Sequence, residues 1–208
     1  MYKKQLLIQK IVCFFALVVA AILFLYSLGI MTDLYDTLYG TLRISVVADE
    51  TDPSVHVVKA TERSVAGAKV YTDMQEFNRF FLKLAIAYLL VVALMFVTNT
   101  STRRRYYISN YVSIGLYAAM SVYIPIYAHP FIEYYKAKFL QVDFEALKAF
   151  SEGRGTKYTE STMWFDLHYF VFALLILAAV LMVAVCVWKV VLMREERKLV
   201  QEGEKVKT

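Results

Sequence analysis

The chain has 208 residues, of which 59% are hydrophobic and 15% aromatic, and its mean hydropathy is +0.49. A soluble domain is about 45–50% apolar, so this composition excludes an ordinary water-soluble globular protein. A net charge of +5 would suggest nucleic acid in a soluble chain, but in a membrane protein a basic excess reflects cytoplasmic flanks, and no nucleic-acid partner is expected.

Crossing hydrocarbon takes about 20 apolar residues, and a backbone there must satisfy its own hydrogen bonds, so each such run predicts a helix. The first run is 11–30, IVCFFALVVAAILFLYSLGI, free of Asp, Glu, Lys and Arg. It is longer than the about 7–15 residues of a cleaved signal core and reads as an uncleaved anchor. Residues 41–60, TLRISVVADETDPSVHVVKA, place β-branched residues on either side of a turn-forming DETDP, which predicts a short β-hairpin. Thr72 followed by Gln75 has the form of a capping box, so the second helix is expected to begin there. The second span, 80–97, is apolar except for Lys83, which lies one turn from its outer edge on the stripe of Glu76 and Arg79. An ionised residue inside a span is a functional candidate by default, yet a lysine so near the boundary can snorkel outward. Lys83 therefore reads first as an interfacial lysine and second as a polar contact.

Between spans two and three, TNTSTRRRYYISNY (98–111) holds Arg103, Arg104 and Arg105 in succession. Asn99 and Ser101 have glycosylation-acceptor spacing, but they fall on the side that charge makes cytoplasmic and take no role. The third span, 106–132, contains Pro125, His129 and Pro130. Its Gly115, Ala118 and Ala119 are the small residues expected at helix contacts in lipid, which puts this span at the centre. Asp143 can cap a short helix over 144–152 that Gly153 ends, and Thr159 or Ser161 can cap the fourth. The fourth span, 167–188, again lacks ionised residues, and its helix is expected to continue as a charged tail over 189–208.

Charge then orients the spans. Lys3, Lys4 and Lys10 precede the first, the three arginines follow the second, and Lys189, Arg194, Arg197, Lys198, Lys205 and Lys207 follow the fourth. The loop 31–79 holds five Lys/Arg against eight Asp/Glu, and the loop 133–166 five against six. Positive-inside bias places both termini and the arginine turn in the cytoplasm, with the two long loops outside. Arg103, Arg104 and Arg105 thus read chiefly as a topological anchor that can also meet anionic lipid headgroups, with a ligand clamp as the minor alternative.

Little else carries chemistry. Cys13 and Cys186, the two cysteines of the chain, fall toward the cytoplasmic ends of their spans, where small apolar thiols pack and disulfides are not expected. His129 and His168 lie near the outer ends of spans three and four, with Glu133, Glu160 and Asp166 nearby in sequence. Imidazole and carboxylate can hold zinc, but the spacing matches no metal motif, and interfacial hydrogen bonding is the simpler role. No metal, cofactor or catalytic residue is expected. Tyr106, Tyr107, Tyr123, Tyr127, Tyr134, Tyr135, Trp164, Tyr169 and Trp188 suit aromatic belts at the interfaces. There is no GxxxxGK[ST] loop, so nucleotide hydrolysis by that route is excluded.

The strings FLYSLGIMTDLYDTLYG, TNTSTRRRYYISNY, DFEALKAF and YTESTMWFD resemble small four-span proteins associated with carbohydrate ABC importers of Gram-positive anaerobes. The resemblance implies an accessory membrane subunit beside two permeases, with no ATPase of its own, and it carries no functional residues over. The expected architecture is an all-α integral membrane protein, a four-transmembrane-helix bundle forming one membrane domain over 1–208. The expected role is a non-enzymatic accessory or scaffolding subunit of a transport complex, with membrane lipids and permease subunits as partners. A small self-assembling carrier or channel is the alternative, and an integral membrane enzyme comes third.

Overall fold

The computed structural model describes residues 2–33, 46–48, 56–58, 65–100, 108–151 and 160–205. Four of its helices, α1 (Tyr2–Asp33), α3 (Gln75–Thr100), α4 (Ile108–Phe139) and α6 (Met163–Lys205), are long and apolar enough to cross a membrane, which makes this a multi-pass membrane protein. Two short helices, α2 (Val70–Asp73) and α5 (Phe144–Ser151), and two three-residue strands, β1 (Val46–Ala48) and β2 (His56–Val58), complete the described elements. The strands pair antiparallel, with Val46 opposite Val58 and Ala48 opposite His56. The residues joining them lie outside those described.

Three of the long helices outlast their apolar runs at both ends, and α4, described from Ile108, outlasts its run at the C-terminal end, because hydropathy marks where hydrocarbon can lie whereas a helix ends only at a cap or a breaker. α6 continues unbroken for 43 residues, and its residues 194–201 are exposed, as a charged tail should be. Local signals were legible in part. Asp143 accepts the Ala146 amide at 3.0 Å and starts α5, and Ser161 Oγ accepts the Met163 amide at the start of α6. The pattern at Thr72 acts differently from a capping box that opens the helix. Thr72 already sits inside α2, where its hydroxyl donates to the Lys69 carbonyl at 2.8 Å, so helical structure begins earlier than expected.

The third span is not the most enclosed one. α1 buries 44% of its most apolar stretch against 33% for α4, because Ala16 and Ala20, one turn apart and fully buried, let neighbouring helices approach its backbone.

Contacts divide the chain into two compact units. The first, the terminal unit, comprises Met1–Leu23, Ala85–Pro125 and Phe170–Thr208. Its interior holds Ala16, Val92, Met95, Leu175 and Met182, all buried, with two polar ties among them. In one, Tyr88 and Ser121 share a 2.9 Å hydrogen bond that joins α3 to α4, and Ser121 bonds back to the Tyr117 carbonyl at 2.8 Å. In the other, Gln5 donates to Gln9 at 2.9 Å, Gln9 donates to the Asn99 carbonyl at 2.8 Å, and Asn99 reaches Ser113 Oγ at 3.2 Å. These bonds join α1, α3 and α4 through neutral groups, the form of polar contact that hydrocarbon tolerates best.

The second, the loop unit, comprises Phe24–Leu84 and Ile126–Tyr169. Aromatic rings fill it. Phe77 stacks on Phe81 and on Phe131 at 5.6 and 5.5 Å between centroids, and Tyr26 meets Phe81 edge-on. Two glycines permit close approaches. The Trp164 indole lies against Gly29 so tightly that a Cβ there would meet the ring at 2.2 Å, and the Tyr26 hydroxyl donates to the Trp164 carbonyl at 3.0 Å. Gly67 adopts φ of +80° and faces the Val142 backbone, which a Cβ would meet at 2.8 Å. An L side chain is disfavoured at such a φ. The turn it makes allows the Asp143 amide to donate to the Ala66 carbonyl at 3.1 Å, which seats the start of α5.

Candidate functional site

The loop unit brings together the one group of ligand-type side chains in which three residues meet among those described. His129 and Glu133 lie four apart on α4, so both occupy one face of the helix. His168 and Tyr169 come from the first turns of α6. One ring nitrogen each of His129 and His168 and a Glu133 carboxylate oxygen all lie within 4.8 Å of one another.

The protons in this cluster follow from the hydrogen bonds. His168 is fully buried, and its Nδ1 faces the Phe165 carbonyl. A carbonyl only accepts, so Nδ1 carries the proton and Nε2 presents a lone pair. That lone pair meets His129 Nδ1 at 2.8 Å, which makes His129 the donor. Glu133 Oε1 lies 3.9 Å from His168 Nε2 and accepts the Tyr169 hydroxyl at 2.9 Å. The buried member is thus oriented by backbone and the acidic member by a phenol, while His129 is exposed.

Three lysine–carboxylate pairs of the loop unit involve none of the cluster's residues. Lys136 meets Asp166 at 2.6 Å, and Asp166 also accepts the Thr162 hydroxyl. Lys138 lies 3.5 Å from Asp73, and Lys148 meets Glu160 at 2.7 Å. Glu160 and Asp166, grouped with the histidines by sequence proximity, therefore serve lysines instead. Glu160 holds the Lys148 ammonium above its ordinary range through their hydrogen bond.

The other sequence candidates are dispersed. Lys83 is exposed on α3, as are Glu76 and Arg79 on the same stripe. Gly115 and Ala119 are exposed, Ala118 is half-buried, and a Cβ at Gly115 would meet nothing within 4 Å. Within this chain, α4 instead buries Tyr117, Ser121, Ile124 and Ala128; small residues permit close approach but do not select the face that makes it. Arg103, Arg104 and Arg105 lie outside the described residues. Cys13 and Cys186 are free thiols, and Cys13 Sγ packs 3.9 Å from Met182 Sδ.

In the sequence His129, His168 and Glu133 form, with Glu160 and Asp166, a candidate zinc set that matches no metal motif, and nothing local marks Tyr169 as a partner. The four-residue spacing of His129 and Glu133 was the available signal, whereas the register of α4 against α6 was not. For the Gln5, Gln9, Asn99 and Ser113 tie, only the Gln5–Gln9 spacing is locally visible. No family model, curated protein or solved structure matches this chain.

Proposed function

We propose that this chain is a non-enzymatic accessory or scaffolding subunit of a membrane transport complex, of the carbohydrate ABC importer type that the sequence resemblance implies. In this reading it lies in the cell membrane with both termini cytoplasmic and two extracellular loops, the first carrying the β1–β2 pair. Arg103, Arg104 and Arg105 hold the turn between α3 and α4 in the cytoplasm, and permease subunits cover one flank.

The observation that carries the reading is where polar side chains of the long helices point. Tyr88 and Ser121 bond to each other, and Gln9 bonds to the Asn99 backbone, so these groups tie helices together. An autonomous carrier needs polar groups turned toward a path near mid-membrane. The outward surface, by contrast, is apolar: Val112, Leu116 and Ile126 on α4 and Phe170, Leu177 and Val180 on α6 are exposed. Gly115 and Ala119 share that outward side of α4, where a helix of another chain finds the close approach small residues allow.

Gentle purification of the tagged protein should bring permease subunits with it in a fixed ratio, and liposomes holding this chain alone should take up no sugar or ion. Unaided uptake would overturn the subunit reading in favour of the self-assembling carrier or channel. Orientation is read separately by labelling single cysteines in intact cells, in a chain without Cys13 and Cys186, using an impermeant thiol reagent. Ser54→Cys should react and Thr100→Cys should not; the reverse pattern would invert the topology.

A further inference from the structure

We propose that His129, Glu133 and His168 bind one Zn2+ ion, clipping α4 to α6 with a fourth coordination position left for water or an external group. The inference is independent of the subunit reading. Two imidazoles and a carboxylate are an established zinc donor set, and three protein ligands with one open position is a recognised arrangement.

The geometry is close to what the ion requires. Zinc binds imidazole nitrogen at about 2.0–2.1 Å and carboxylate oxygen at about 2.0–2.2 Å, so tetrahedral ligand atoms sit about 3.3 Å apart. The His129–His168 separation of 2.8 Å and the Glu133–His168 separation of 3.9 Å bracket that value. Each of these changes by about half an ångström on binding, and the His129–Glu133 pair, which lies within 4.8 Å, closes by at most about 1.5 Å, within reach of side-chain rotations. His168 is already in the ligating tautomer, because the Phe165 carbonyl holds the proton on Nδ1 and leaves Nε2 free to coordinate. The proton that His129 carries on Nδ1 moves to its Nε2, and the ion takes its place between the rings.

A supporting shell is present as well. A ligating histidine almost always donates its second ring N–H to a carbonyl or carboxylate, and ligating carboxylates are themselves hydrogen-bonded. His168 has the Phe165 carbonyl and Glu133 has the Tyr169 hydroxyl. A histidine pair serving only as a hydrogen-bonded tie between helices does not need the carboxylate four residues along, nor a phenol holding that carboxylate beside it. Imidazole and carboxylate also suit Cu2+ and Ni2+, but those ions favour square-planar or tetragonal sites.

The test uses the full chain in detergent, stripped by a chelator and titrated with ZnCl2 by calorimetry and with Co2+ by visible absorption. One ion per chain is expected, with the Co2+ spectrum of a four-coordinate nitrogen and oxygen site and no thiolate charge-transfer band. His129→Gln and Glu133→Gln act at the more accessible members of the cluster, and circular dichroism checks that they keep the fold. Each should weaken binding by about 100-fold or more, and Tyr169→Phe by about tenfold, in keeping with the about 10–100-fold cost of losing outer-shell partners. Saturating Zn2+ should raise the thermal midpoint of the native protein and leave that of His129→Gln unmoved. Folded native protein that takes up no Zn2+ would overturn the proposal, as would uptake unchanged in both variants or a thiolate band placing the ion at Cys13 or Cys186.

Discussion

The terminal unit and the loop unit face the same difficulty, polar groups among apolar helices, and meet it with different chemistry. In the terminal unit the groups are amides and hydroxyls, fully or nearly fully buried: Gln5, Gln9, Asn99, Ser113 and Ser121. In the loop unit the ties include lysine–carboxylate pairs whose side chains keep 23–60% of their exposure. A neutral hydrogen bond survives in a medium without water because neither partner loses much solvation, whereas an ion buried there carries a large desolvation penalty. Where charge ties elements in the loop unit it stays partly exposed, whereas the buried ties of the terminal unit are neutral.

The difference can be broken at one point and sharpened at others. Gly29→Ala should have the largest effect, because its Cβ would stand 2.2 Å from the Trp164 ring and overpacking costs about 1–3 kcal/mol. A lowered thermal midpoint in detergent checks it, and the cost should vanish in a Trp164→Ala background. Next comes the neutral layer. Gln9→Leu removes a donor to Asn99 and an acceptor for Gln5 and should cost about 1 kcal/mol. Because no ion is involved, added salt should not change that loss.

Salt separates the two chemistries. Lys136→Met should cost the loop unit under about 1 kcal/mol at low ionic strength, since the Asp166 partner is half exposed, and less as salt rises. The smallest effect is a pH response. The Lys148 ammonium is raised by its hydrogen bond to Glu160, so its contribution is complete below the ordinary lysine value of about 10.4 and is lost as pH rises through the raised one. Glu160→Gln should remove that alkaline step from a thermal-midpoint series, and a step that survived would assign it elsewhere.

What was legible in the sequence follows the range of the interaction. Hydropathy located all four long helices because a 20-residue apolar run has few other fates. Asp143 was legible because its partner, Ala146, is three residues away. Thr72 was misread despite being local, since a turn begun upstream at Val70 had already claimed it. Gly115 and Ala119 show where a backbone can be approached, not by which helix. The histidine–glutamate cluster lies between these cases: His129 and Glu133 share a face by spacing alone, while His168 arrives from a helix 39 positions on, and no local pattern encodes that meeting.

The seat of Trp164 against Gly29 also bears on the order in which the protein can be completed during synthesis. The two residues are 135 positions apart and helices in lipid insert before they associate, so the notch on α1 receives its indole only after the last long helix is made. Until then the most enclosed helix of the fold lacks one of the contacts that index its rotation about its own axis, where a slip of one residue turns it by about 100°. The packing at position 29 is thus one of the contacts of α1 that must form late in synthesis.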